Sequence, residues 1–172
     1  LGPRINAAGR LADMTLGIEC LLTDNAARAA ELAGMLDGIN RERREIEGGM
    51  REQAMLMAES LFDESEEPPP AISVFDPDFH EGVVGIVASR IKDKLHRPTF
   101  VFAASSAPGK EHELKGSGRS IPGFHLRDAL DLVAKRHPGV ILKFGGHAMA
   151  AGCTVAEEHF EVFEQGLAQV AQ

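Results

Sequence analysis

Hydrophobic positions along this chain follow two rhythms. From residue 24 to about 62, Leu32, Leu36, Ile39, Ile46, Met50, Met57 and Leu61 stand three, four or seven residues apart. That spacing predicts one long amphipathic helix. Asp24 stands where an N-terminal cap is needed. Arg41-Glu42-Arg43-Arg44-Glu45 supplies a solvated face, and Gly48-Gly49 should weaken or bend the helix. Beyond residue 67 the rhythm changes. Short apolar runs at 71–75, 98–103, 113–120, 140–144 and 152–155 predict strands, while 81–95, 125–136 and 157–170 carry helical faces. Strands alternating with helices predict an α/β domain, a mixed β-sheet flanked by helices, behind a long connecting helix. The run Asp63-Glu64-Ser65-Glu66-Glu67-Pro68-Pro69-Pro70 separates the two regions, because consecutive prolines cannot continue a helix.

Charge follows the same division. The chain of 172 residues has a formal charge of −8, which argues against a generic nucleic-acid coat protein. Residues 1–67 carry −7 of it and residues 68–172 only −1, while the stretch 90–143 is locally +6. All seven His follow residue 67. Nine Phe with no Trp and no Tyr make a multi-ring base-stacking platform a poor reading. Cys20 and Cys153 lack metal-ligand spacing and predict a reduced protein. No apolar run is long enough for a membrane span. The first residue, Leu1, falls inside a motif, which predicts a piece of a longer protein.

Several stretches suggest anion chemistry. In Lys143-Phe144-Gly145-Gly146-His147-Ala148-Met149-Ala150-Ala151-Gly152, paired glycines expose backbone N–H groups and His147 adds a directed donor. If the Ala-rich run is a helix, those amides sit at its positive end. In Lys115-Gly116-Ser117-Gly118-Arg119-Ser120, Ser117 and Arg119 are two residues apart and share a strand face. A guanidinium and a hydroxyl with flexible glycine between them suit a terminal phosphate. Arg4, Asn6 and Arg10 lie on an opening segment that reads as a glycine-punctuated loop. Asp76-Pro77-Asp78-Phe79-His80 resembles an alternating metal ligand set, but an Asp-Pro turn with Asp78 capping the next helix explains it more simply. His80 is the better substrate contact.

Four segments in order, GPRINAAGRL at 2–11, FHEGVVGIVASRI at 79–91, LKGSGRSIPGFHLRDAL at 114–130 and KFGGHAMAAG at 143–152, resemble the RecJ-type single-strand-specific DNA exonucleases of the DHH phosphoesterase superfamily. The resemblance implies the end of a DHH domain at 1–23, a connecting helix and linker at 24–67, and a DHH-associated substrate-binding domain at 68–172. It implies 5′→3′ hydrolysis of single-stranded DNA by the intact protein, with Mn²⁺ or Mg²⁺ activating water. DNA repair and recombination in the bacterial cytoplasm, with a helicase or single-strand-binding protein as partner, are part of the same implication. The family's metal-binding aspartates and Asp-His-His motif do not occur in this sequence. Metal ligands are therefore expected upstream of Leu1, no catalytic or metal residue is assigned here, and the chain alone is expected to be inactive. Carried onto this sequence, Gly145, Gly146 and His147 match a substrate motif, and Ser117, Gly118 and Arg119 match a clamp on the 5′-terminal phosphate. Arg4, Asn6 and Arg10 fall in the segment near the family's interdomain cleft. Two alternatives stay open: a DHH phosphoesterase acting on short oligonucleotides or small nucleotides, and a non-catalytic nucleic-acid-binding module.

Overall fold

The computed structural model describes residues 1–11 and 14–172, with the side chain of Arg10 outside that description. Two compact units emerge, Leu1–Gly49 and Met50–Gln172.

The first unit contains helices α1 (Gly2–Leu11) and α2 (Thr15–Leu22) and the leading part of α3 (Ala26–Glu59). The expected opening loop is thus a helix. Pro3 sits in its first turn, where a missing N–H costs nothing. The Leu1 carbonyl accepts from the Arg4 and Ile5 N–H groups at 3.0 and 3.1 Å, and Ala7 and Ala8 are buried. Its glycines do not prevent this, because Ile5 packs tightly on α2: a Cβ added at Gly17 would lie 2.9 Å from Ile5 Cγ2. The cap of α3 is Asn25 rather than Asp24. Its side-chain oxygen accepts from the Ala27 and Arg28 N–H groups at 3.0 and 3.1 Å. The helix then runs unbroken through Gly48-Gly49 to Glu59.

The second unit contains the trailing part of α3, then β1 (Ile72–Phe75), α4 (Val84–Leu95), β2 (Thr99–Ala104), β3 (Glu113–Arg119), α5 (Leu126–Arg136), β4 (Ile141–Gly146), β5 (Ala150–Ala156) and α6 (Phe160–Val170). The five strands form one mixed sheet in the order β1-β2-β3-β5-β4. β1 and β2 are parallel, joined across α4, and the other pairs are antiparallel. Helices α5 and α6 pack over one face. Leu126, Leu130, Val133, Phe163 and Leu167 meet Phe100, Phe102 and Leu114 there, all fully buried. The Phe163 ring stands edge-on to Phe100 and Phe102, with centroids 5.5 and 5.2 Å away. Each such side chain contributes about 1.5–3 kcal/mol by leaving water. Helix α4 covers β2 and β3 from the opposite face, burying Val84, Val87, Ala88 and Ile91. It ends where His96 turns left-handed, at φ 55°, two residues before Pro98.

Candidate functional site

The site is organised by the period of two along β3. Gly116 and Gly118 point into the core, whereas Lys115, Ser117 and Arg119 point to the face on which α4 lies. The two glycines are required by packing rather than by flexibility, which corrects the sequence expectation. A Cβ at Gly118 would lie 2.5 Å from the Phe100 ring, and one at Gly116 would run into the Phe102 ring. The strand can therefore sit low over the phenylalanine layer while presenting Ser117 and Arg119 opposite. Arg119 is half-buried, its Nη1 donating to the Gly118 carbonyl at 2.8 Å. Its Nη2 reaches the first turn of α4, beside Gly85.

Register places small residues around this pair. Ser117 is opposite Gly152, which is opposite Gly145, and Arg119 is opposite Ala150. No atom lies within 4 Å of where a Cβ would stand at Gly145. One row further, Lys115, Thr154 and Lys143 are aligned across three strands. Among the described residues no salt bridge engages Lys115 or Lys143. These two lysines were not singled out from sequence; the alternation of β3 carried the signal for Lys115, but Lys143 needed the register.

Gly145, Gly146 and His147 do not precede a helix. They end β4 and open the hairpin to β5, so the helix-end account of their anion affinity is withdrawn. The His147 N–H donates to the Ala150 carbonyl at 2.8 Å, and its side chain is exposed. Gly146 has φ 142°, and a Cβ there would lie 2.5 Å from Ala151 Cα, so no other residue closes this turn without strain. The hairpin is tied down: the Ser120 N–H donates to the Met149 carbonyl at 2.9 Å and the Leu126 N–H to the Ala148 carbonyl at 2.8 Å. Ser117 and Gly118 on β3 and Gly145 and Gly146 on β4 thus stand two strands apart on one sheet, with Gly152 and Ala151 of β5 between them.

His80 lies at the approach to α4. Its Nδ1 accepts from the Gly82 N–H at 2.9 Å, leaving Nε2 as the remaining ring nitrogen. Asp78 does not cap the helix. Its N–H donates to Asp76 Oδ1 at 2.8 Å, closing an Asx turn, and α4 starts after Val83. Arg4 and Asn6 belong to the first unit. Arg4 Nε donates to Asp37 Oδ1 at 2.8 Å, which holds the Asp37 carboxyl below its ordinary range; Asn6 is exposed, and the Arg10 side chain lies outside the described residues. Among the described residues no group of three His, Cys, Asp or Glu could hold a metal ion. Burial pushes the Cys153 thiol far up, so this cysteine is a core side chain rather than a nucleophile. No helix among the described residues is long and apolar enough to cross a membrane.

Known proteins share the sequence and the fold of this chain. The DHHA1 domain model matches residues 68–172. The single-stranded-DNA-specific exonuclease RecJ of Dickeya dadantii is 50% identical over 170 residues, 99% of this chain and 29% of that protein. RecJ of Escherichia coli is 50% identical over 165 residues, 96% of this chain and 28% of that protein. Among solved structures, RecJ from Thermus thermophilus in complex with Mg²⁺ superposes with a TM-score of 0.82 at 34% identity, covering 98% of this chain and 24% of that one. The chain therefore spans under a third of the length of the curated relatives it matches. A mixed sheet with the Ser117–Arg119 strand at its centre, a family match over more than half the residues and likeness to RecJ along nearly the whole length lead to one conclusion: the chain belongs to the DHHA1 domain family.

Proposed function

We propose that this chain is the substrate-binding portion of a RecJ-like 5′→3′ single-stranded DNA exonuclease, with Ser117 and Arg119 holding the 5′-terminal phosphate. The observation that carries the reading is their shared orientation on β3, next to the glycine-lined positions of Gly152 and Gly145. A phosphate needs close approach and charge-assisted donors. Arg119 supplies a guanidinium, Ser117 a hydroxyl, and the absence of side chains at Gly145 and Gly152 leaves room for a sugar-phosphate backbone. His147, exposed at the hairpin, and His80, before α4, add donors along the same strand. Arg4, Asn6 and Arg10, in the first unit, belong to the same proposal as DNA contacts of the intact protein. Single-stranded DNA is thus gripped mainly by phosphates, in keeping with the lack of Trp and Tyr.

The described residues do not fit a divalent-metal site, so no chemical step is derived from them. In this reading, Mg²⁺ or Mn²⁺ is held by upstream parts of the intact enzyme, and these 172 residues bind and orient the strand. A role in bacterial DNA repair and recombination, in the cytoplasm and alongside a helicase or single-strand-binding protein, belongs to the same proposal.

The test uses the full-length enzyme on oligonucleotides bearing a 5′-phosphate or a 5′-hydroxyl. Arg119→Ala should reduce the preference for the phosphate about ten- to hundredfold, as expected when a charge-assisted contact worth about 1.5–3 kcal/mol is lost. The 172-residue chain alone should degrade neither substrate with added metal. An Arg119→Ala enzyme that discriminates as well as wild type, or strong degradation by the chain alone, would overturn the assignment.

A further inference from the structure

Glycine is a poor helix former, yet Gly85 occupies the second position of α4 with ordinary helical backbone. Its backbone conformation does not call for glycine, since no positive φ is present there. Its neighbours do. A Cβ at residue 85 would lie 2.7 Å from Arg119 Nη2, 3.5 Å from Arg119 Cζ and 3.6 Å from Ser117 Oγ. One methyl group would therefore press on the Arg119 guanidinium and come into ordinary contact with the Ser117 hydroxyl. The contrast with the glycines of α3 is sharp: at Gly34, Gly38, Gly48 and Gly49 the same added atom meets nothing within 4 Å.

We infer that Gly85 is a positioning residue that determines specificity for the 5′-phosphate, by leaving the space in which the Arg119 guanidinium lies against α4. This rests on the clamp reading above and deepens it. The atom that a methyl at 85 would displace is the far end of a flexible side chain, not backbone or core. Arginine can swing away by rotating its outer torsions, so the protein folds with alanine at 85. What it loses is the location of the guanidinium. The Nη1 bond to the Gly118 carbonyl is one contact that holds the group, and the gap at Gly85 gives its Nη2 room against the helix. A bidentate contact tolerates little misplacement, so a shift that costs no stability still costs recognition.

The inference separates folding from specificity, and the test reads both. Full-length Gly85→Ala, Arg119→Ala and the double variant are compared on 5′-phosphate and 5′-hydroxyl oligonucleotides, with KM, kcat and thermal midpoint measured for each. Gly85→Ala should keep or raise the midpoint. It should lose roughly tenfold or more of the phosphate preference, mainly in KM and with the 5′-hydroxyl substrate unchanged, and should add nothing to Arg119→Ala in the double variant. If Arg119→Ala loses the preference while Gly85→Ala keeps it, or if the two losses add, the positioning role is overturned and the clamp stands. If Arg119→Ala itself keeps the preference, the clamp reading falls and this inference with it.

Discussion

Gly118 and Arg119 are chain neighbours that serve opposite faces of one sheet. The first lets the strand lie against Phe100, and the second points to the proposed phosphate. At this scale a single methyl decides the outcome, and its sign depends on what it meets. Alanine at Gly118 or Gly116 meets an aromatic ring that other rings of the core hold in place. Each substitution should lower the urea-unfolding free energy by about 1–3 kcal/mol, the usual cost of overpacking. The same change at Gly85 meets only the end of an arginine. The sequence made Ser117 and Arg119 legible, because alternation on a strand follows from local geometry alone. It could not reveal why Gly116 and Gly118 alternate with them, since Phe100 and Phe102 come from a neighbouring strand and α4 from another layer.

Elements reward a similar distinction between local and distant causes. The long helix was legible from its apolar spacing, and its continuation through Gly48-Gly49 follows from having more than two turns of helix on each side. Both glycines have open space where a Cβ would go. Gly48→Ala and Gly49→Ala should each raise stability by about 0.8–1 kcal/mol, measured as a higher urea midpoint at unchanged slope. The opening helix α1 and the β4–β5 hairpin were not legible. Glycine punctuation reads as loop when the packing of Ile5 on α2 is unknown, and an alanine run reads as helix until β3 is there to pair with it. Helix α6 carries a titration of its own. Burial, and then the like charge of Glu161, push the Glu164 carboxyl above its ordinary value of 4.5. The folded protein thus holds that proton more tightly than the unfolded chain. Wild-type stability relative to Glu164→Gln should fall as pH rises from 4.5 through the raised folded value; equal pH profiles in urea titrations would contradict this.

For the molecule as a whole, net charge misleads and its distribution informs. A total of −8 coexists with a sheet face on which Lys115, Arg119 and Lys143 stand within three adjacent strands. If this face tracks a strand's phosphates, binding weakens with salt at about 0.7 logarithmic units per cation neutralised. Lys115→Ala and Lys143→Ala in the full-length protein should each flatten the salt dependence of single-stranded DNA affinity by about that amount, while leaving the 5′-phosphate preference intact. Unchanged slopes would remove the lysine row from the interface. Strand order was beyond the sequence, because it depends on which apolar faces meet across long separations, and with it went the alignment of Lys143 with Lys115.

The core that supports all this is built from phenylalanine, with neither tryptophan nor tyrosine anywhere in the chain. One consequence is optical. These 172 residues emit nothing when excited at wavelengths that only indole absorbs, so they form a dark background. Met149, exposed at the hairpin that Ser120 and Leu126 hold in place, could be exchanged for tryptophan to give a lone reporter beside the proposed phosphate clamp.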